Sequence, residues 1–218
     1  MDFEKSKTRE NLMRAFAGES QARNRYTIAA GIAHKEGLEV LRGVFLFTAD
    51  QEKTHAKQKL EVVARVFEFT ANQELAHAKV FYDALQPSVC RNLTVDGNYP
   101  IDLYPDLLGH LRAANHNELQ EWEHDYAGFA KIAAEEGFDL ISKTFEMIAG
   151  IEKTHADRFQ RFATLMEQDQ LFSSSQEETW MCLNCGQIIH ATMAPAQCPV
   201  CKHGQDYFIR LPMAPFAG

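Results

Sequence analysis

Glu52-Lys53-Thr54-His55-Ala56 recurs letter for letter as Glu152-Lys153-Thr154-His155-Ala156. Each copy follows a glycine by 15 residues, Gly37 before Glu52 and Gly137 before Glu152. Upstream, in stretches of helical pattern, stands a further acid: Glu19 lies 18 residues before Gly37, and Glu118 lies 19 before Gly137. The chain therefore reads as two helical hairpins of the form Glu, turn, Glu-x-x-His. Residues three apart on a helix share a face, so four helices can bring four carboxylates and two imidazoles to one place. A Glu from each of two helices and Glu-x-x-His from each of the other two is the donor set of a two-metal carboxylate centre in a bundle. Buried together, such acids repel and lose hydration, and two metal ions supply the missing charge. Hard carboxylates with one imidazole per metal suit Fe or Mn. Glu118 and Glu121, spaced i, i+3, put an additional carboxylate on the same helix face, which lets a metal exchange ligands as its charge changes.

Outward from these motifs, apolar residues recur at three- and four-residue spacing over most of the first 170 positions, as in Phe138, Ile141, Phe145 and Ile148. The pattern predicts helices over about 4–35, 38–85, 103–136 and 138–170. Residues 86–102, with Pro87, Gly97, Asn98 and Pro100, form one long non-helical connection. Four helices with one long crossover make a ferritin-like bundle, so the fold class is mainly α with a small C-terminal metal-binding domain.

That second domain announces itself through Cys182-x-x-Cys185 and Cys198-x-x-Cys201, which are four of only five cysteines. Two such pairs give a tetrahedral four-thiolate site for one Fe, with Zn as substitute. The polar run from Phe172 divides the chain into 1–171, a linker at 172–178, and 179–218. A module of about forty residues cannot bury enough apolar surface alone, and a structural metal is the usual remedy. Cys90 reads as a free thiol.

A net charge of −8 argues against nucleic acid as a partner. The first residues lack the apolar core of a signal peptide, and no apolar run is long enough to span a membrane. CxxC pairs without a secretory signal favour metal over disulfides, which predicts a reducing cytoplasm.

In combination these residues resemble the rubrerythrins. Ala15-Phe-Ala-Gly18-Glu19-Ser-Gln-Ala-Arg-Asn-Arg25-Tyr26 is similar to the family's first-helix motif. The likeness continues through Gln51-Glu52-Lys-Thr-His55, His116-Asn-Glu118-Leu-Gln-Glu121, Ile151-Glu152-Lys-Thr-His155 and Trp180-Met-Cys182-Leu-Asn-Cys185. The resemblance implies a di-iron bundle fused to a rubredoxin-like domain holding one iron. It implies reduction of hydrogen peroxide to water, in defence against oxidative stress. Electrons would come from NAD(P)H through a reductase or a separate rubredoxin. By motif, Glu52 and Glu152 would bridge the irons, Glu19 with Glu121 or His55 would serve one, and Glu118 with His155 the other. Glu121 and His55 would exchange as ligands, and Tyr26 and Tyr126 match tyrosines beside the family's site. A ferroxidase that handles iron is the alternative function, though iron storage needs no built-in electron relay. A zinc ribbon with a partner-binding helical domain leaves the clustered acids unexplained.

One feature departs from the family. Leu38 through Lys57 returns as Leu60 through Lys79, a tandem duplication over 38–79 with an offset of 22 residues. It creates a spare pair, Glu74 and His77, as alternative ligands. Glu52/His55 keeps the distance to Glu19 and is favoured; Glu74/His77 keeps the distance to Glu118. If 38–85 is one straight helix, the crossover from Leu85 must climb about 70 Å to reach the third helix, beyond the roughly 60 Å reach of 17 residues. The expectation is a homodimer in which Glu19, Glu52 and His55 of one chain meet the other four ligands of its partner, or else a kink near Lys57-Gln58-Lys59.

Overall fold

Long amphipathic segments bounded by capping residues become helices. The computed structural model describes residues 2–36, 60–88 and 92–214. Within them, α1 spans Lys7–Glu36, α2 Glu61–Ala84, α3 Leu107–Gln120, α4 Tyr126–Glu135 and α5 Asp139–Glu167. Residues Glu121–Asp125 join α3 to α4 as a π-helical turn, so these three form one rod. The first copy of the duplication, the turn at Gly37, the kink at Lys57-Gln58-Lys59 and Cys90 lie outside the described residues.

Local chemistry sets the ends. Asp106 caps α3, its side chain accepting from the Gly109 N–H at 2.7 Å. After α4 the chain reverses in a Schellman turn: Phe138 N–H donates to Ala133 O and Gly137 N–H to Ala134 O. Gly137 takes φ +85° there, a conformation other L-residues resist. Glu136, beside it, accepts from the N–H groups of Lys7 and Thr8 at 2.8 and 2.7 Å and from the Thr8 hydroxyl. One carboxylate thus satisfies the orphan donors that begin α1 and ties them to the α4–α5 turn.

The chain divides into two compact units, Met1–Tyr26 with Thr70–Ala163 and Thr27–Phe69 with Thr164–Gly218. In the first, Leu12, Ala15, Phe81, Tyr126, Ala130, Phe145, Ile148 and Ala149 form the core, with Phe81 and Phe145 stacked at 5.2 Å between centroids. In the second, β1 (Ser173–Cys182) lies between β2 (Ile188–Met193) and β3 (Phe208–Arg210) in an antiparallel sheet. Its core is Trp180, Cys182, Ala194, Cys198 and Phe208. Trp180 Nε1 donates to Ala191 O, and the Arg210 guanidinium lies 4.9 Å from the indole centroid.

Two sequence expectations are corrected here. Residues 173–178 are strand and not linker: Ser173 pairs with Met193, Ala194 N–H donates to Phe172 O, and Arg210 Nη2 donates to Gln170 O and Ser173 O. The polar side chains suggested a tether, whereas the backbone is paired at Ser173 and again from Glu178, with a break in register between them. The division of the chain is also discontinuous in sequence, with 27–69 grouped with the C-terminal residues.

Burial works against charge on Glu136, yet Thr8 and the Lys7 and Thr8 N–H groups hold its carboxyl below the usual range. Glu136→Gln is expected to cost about 1 kcal/mol at neutral pH, the scale of a lost helix cap. A lowered folded pKa stabilises above the unfolded value of about 4.3 and loses that contribution as pH falls through the folded value. Denaturant unfolding of variant and wild type across that range should show the gap closing on the acid side.

Candidate metal centres

Helical spacing delivers the bundle cluster. Glu19 comes from α1, Glu74 and His77 from α2, Glu118 from α3, and Glu152 and His155 from α5. These side chains are buried, with Glu19, Glu74, Glu152 and His155 at 0% exposure. They fall into two overlapping quartets, Glu19–Glu74–His77–Glu152 and Glu74–Glu118–Glu152–His155, in each of which the ligand atoms lie within 4.8 Å of one another. Glu74 and Glu152 belong to both quartets. Such a set could hold two neighbouring ions, with Glu74 and Glu152 available to both and one further Glu and one His available to each.

The fit to metal can be tested on the atoms themselves. His155 Nδ1 lies 2.9 Å from Glu74 Oε1, 2.9 Å from Glu152 Oε2 and 3.5 Å from Glu118 Oε2. His77 Nδ1 lies 3.1 Å from Glu152 Oε1, 3.3 Å from Glu74 Oε2 and 3.8 Å from Glu19 Oε1. A ring nitrogen has one proton or one lone pair and cannot serve three carboxylates. Both oxygens of Glu74 and Glu152, Oε2 of Glu19 and Glu118, and these two nitrogens are buried without a hydrogen-bond partner. Donor atoms that converge but do not satisfy one another fit cations held among them. The electrostatics agree. Burial, and then the Glu74 carboxylate, pushes Glu118 up to about 8, and burial also raises Glu19 and Glu121 well above the carboxylate range. Burial alone would discharge His155, but Glu118, Glu152 and Glu74 push it up to about 12. Without ions the cluster gathers protons; with them it exchanges protons for metal charge.

Two tyrosines brace the terminal carboxylates. Tyr126 Oη donates to Glu19 Oε1 at 2.6 Å, and Tyr26 Oη donates to Glu118 Oε1. Burial, followed by these carboxylates, holds both phenols well above their usual pKa, so both remain donors. The π turn sets this symmetry. Eight residues separate Glu118 from Tyr126, which in α-helix leaves them about 80° apart. The wider turn, closed by Tyr126 N–H to Glu121 O, removes most of that offset. Glu121, its first residue, is half-buried and lies in neither quartet; it borders a cavity beside Tyr126. Arg158, three residues after His155, donates to Thr70 Oγ1 at 2.8 Å and Gln73 Oε1 at 3.1 Å and so pins α2 to α5. The π turn left no trace in the sequence analysis. Arg158 was overlooked, although its spacing from His155 was the available signal.

The second centre lies at the two knuckles. Cys182 Sγ is 3.6 Å from Cys201 Sγ, and Cys185 Sγ is 3.7 Å from Cys198 Sγ. A tetrahedron with metal–sulfur bonds of about 2.3 Å has edges near 3.8 Å, so the four thiols fit one ion. Gly186 and Lys202 follow the two knuckles with φ +77° and +65°, where Gly186 N–H donates to Cys182 O and Lys202 N–H to Cys198 O. The His203 backbone N–H leads the contacts that bring Cys201 down to about 5, while burial pushes Cys182 up to about 12. A bound cation would draw the remaining protons from the set.

Glu19, Glu118, Glu152, His155, Tyr26 and Tyr126 thus meet in one place, and the four cysteines in another. Glu52 and His55 lie outside the described residues, and the pair present in the cluster is Glu74 and His77. The donor set is complete within one chain. The family model for rubrerythrin matches residues 10–60, a range that includes Glu52 and His55 and ends before Glu74. The model for the rubrerythrin rubredoxin-like domain matches residues 180–209. Sequence likeness therefore covers the first copy of the duplication, while among the described residues it is the second copy that lies in the cluster. Glu74→Ala with His77→Ala is expected to remove bundle iron, and Glu52→Ala with His55→Ala to retain it. Metal analysis of anaerobically purified protein decides, with the four-cysteine iron as internal reference.

Rubrerythrin of Porphyromonas gingivalis is 38% identical to this chain over 93% of it and 89% of the relative. Rubrerythrin of Nitratidesulfovibrio vulgaris is 36% identical over 93% of each. The mixed-valence structure of nigerythrin superposes with a TM-score of 0.56 at 24% identity, covering 94% of this chain and 90% of that one, and shares the fold. Relatives matched over nearly their whole length, the two-metal donor set and the four-thiolate knuckles agree: the chain belongs to the rubrerythrin family.

Proposed function

We propose that this protein is a non-haem di-iron peroxidase that reduces hydrogen peroxide to water in defence against oxidative stress. Two irons in the bundle and one at Cys182, Cys185, Cys198 and Cys201 make three per chain. The observation that carries the reading is the pair of quartets sharing Glu74 and Glu152, with Glu121 at the edge beside a cavity. Bound iron would supply two electrons, one from each ion, for H2O2 + 2 e− + 2 H+ → 2 H2O. The residues do the rest. Glu74 and Glu152 would contribute to both ions, Glu19 with His77 would complete one set and Glu118 with His155 the other, and Glu121 would be available as a further ligand. Tyr26 and Tyr126, kept protonated, orient Glu118 and Glu19 and fix which oxygen of each faces inward. The core of Tyr126, Phe81 and Phe145 shields one flank from water.

Electrons would enter through the four-cysteine centre from an NAD(P)H-linked reductase or a rubredoxin. A ferroxidase would use the same bundle but has no need of that relay. Thiols kept free for metal suit a reducing compartment, which supports a cytoplasmic location as part of the proposal. Among the described residues no helix is long and apolar enough to cross a membrane. A homodimer is the proposed assembly. Since one chain supplies a full donor set, exchange of helices between subunits is not required for iron binding.

Two outcomes test the proposal. Fully reduced protein, mixed anaerobically in a stopped-flow instrument, should be oxidised far faster by hydrogen peroxide than by dioxygen; the reverse order refutes it. Cys198→Ser should abolish turnover with an external reductase while pre-reduced bundle iron still performs a single peroxide turnover. Loss of that single turnover in a folded, iron-loaded bundle would show that the four-cysteine centre is more than a relay.

A further inference from the structure

Beside the carboxylate cluster lies a cavity of about 590 Å³. Hydrogen peroxide is two oxygens in size, and one water claims only about 30 Å³ of liquid. Cavities of roughly 300–1,000 Å³ are the scale of organic ligands. Its apolar lining comes from Ala15 and Gly18 of α1, Tyr99 and Pro100 of the crossover, and Tyr126 and Phe129 of α4, with Glu121 and the polar side chains of Asn117, Gln120 and Asp125 beside them.

The cavity is built and not incidental. Its crossover wall is fastened to the helices at several points. Arg14 Nη2 meets Asp96 Oδ1 at 2.6 Å, Arg25 Nε meets Asp102 Oδ2 at 3.4 Å, Asn117 Nδ2 donates to Asp102 Oδ2 at 2.7 Å, and Tyr99 Oη donates to Arg14 O at 3.4 Å. The same pairings set an acid against each lining arginine, Asp96 against Arg14 and Asp102 against Arg25, which favours an uncharged ligand over an anionic one. Gly18 supplies a second sign. Glycine within a helix costs about 1 kcal/mol relative to alanine, and here no close backbone approach requires it. A Cβ at Gly18 would meet only the Tyr99 ring, at 3.9 Å. What the missing side chain leaves is open space facing the Tyr99 ring, one residue before Glu19 in the chain.

We propose that this cavity holds the organic portion of an uncharged alkyl or aryl hydroperoxide, with its O–O group directed to the Glu121 end. The reaction balances as ROOH + 2 e− + 2 H+ → ROH + H2O. The O–O bond breaks, the alkyl-bearing oxygen leaves protonated as the alcohol, and the distal oxygen leaves as water. The two electrons come singly through the four-cysteine centre from the same reduced redox protein. The inference rests on the peroxidase reading and extends its substrate class.

The test uses iron-loaded protein, cumene hydroperoxide and its alcohol product. Pre-reduced wild type should be re-oxidised by cumene hydroperoxide, with one cumyl alcohol formed per hydroperoxide lost. Gly18→Leu should lower the rate constant for cumene hydroperoxide about tenfold more than that for hydrogen peroxide, the scale of a pocket-shape effect. Gly18→Ala should fall between. Calorimetric titration of cumyl alcohol into the oxidised protein should show binding to wild type and none to Gly18→Leu. Re-oxidation of wild type by hydrogen peroxide alone, or an equal loss for both peroxides in the variants, overturns the inference and leaves the peroxidase reading standing. Inertness to both peroxides overturns that reading and the inference with it. If Gly18→Leu loses bundle iron, Gly18→Ala and the wild-type titration decide the matter.

Discussion

Burial of like charge governs this molecule. Glu19, Glu74, Glu118 and Glu152 occupy the place where a helical bundle would ordinarily put leucines, and each is within 1% of complete burial. Desolvating a carboxylate costs several kcal/mol even after relaxation, and four together multiply the cost through repulsion. Two imidazoles offset part of it. Protons or cations must offset the rest, and the converging oxygens and nitrogens without partners suit cations better. Folding and metal loading are therefore one equilibrium: metal bound only by the folded state stabilises it by mass action.

The same constraint explains the supporting residues. A cluster under repulsion would spread unless its helices were pinned, and the pins are polar contacts set close to it. Arg158 fastens α2 to α5 through Thr70 and Gln73, while Glu136 fastens the start of α1 to the α4–α5 turn. The tyrosines do the finer work, each occupying one oxygen of a terminal glutamate so that the other is free to face a metal. The small C-terminal unit applies the same logic at a smaller scale. Its core is built around Trp180, and two cysteines of the metal site, Cys182 and Cys198, are themselves core residues. Metal and hydrophobic core there share the same side chains.

Much of this was legible in the sequence because ligand spacing and helix period are commensurate. The i, i+3 step at Glu152 and His155, the acids at Glu19 and Glu118, and the cysteine pairs specified both centres without any tertiary information. Three things were not legible, each for a physical reason. The duplication presents two Glu-x-x-His copies equal in local chemistry, so spacing along the chain could not show that Glu74 and His77 meet the acids of α1, α3 and α5. The π turn at Glu121–Asp125 has no composition of its own; it exists because Tyr126 must reach Glu19 while Glu118 stays inward. Strand β1 begins in a run of serine and acid that reads as a tether by side chain, whereas the strand is made by backbone pairing and by Arg210.

The donor set is close to two-fold symmetric, Glu19, His77 and Tyr126 answering Glu118, His155 and Tyr26. Its surroundings are not. His155 is sealed at 0% exposure, while His77 retains 7%. Of the residues that border the cavity, Gly18 precedes Glu19 in the chain and Tyr126 donates to it, while Glu121 stands one helical turn after Glu118. The extra carboxylate is stationed at the same place, on a turn whose wider hydrogen bonding already departs from regular helix. Symmetry in the ligands lets two ions share charge across Glu74 and Glu152. Asymmetry around that set comes from the cavity and from the π turn, an irregularity of a kind that recurs at functional sites.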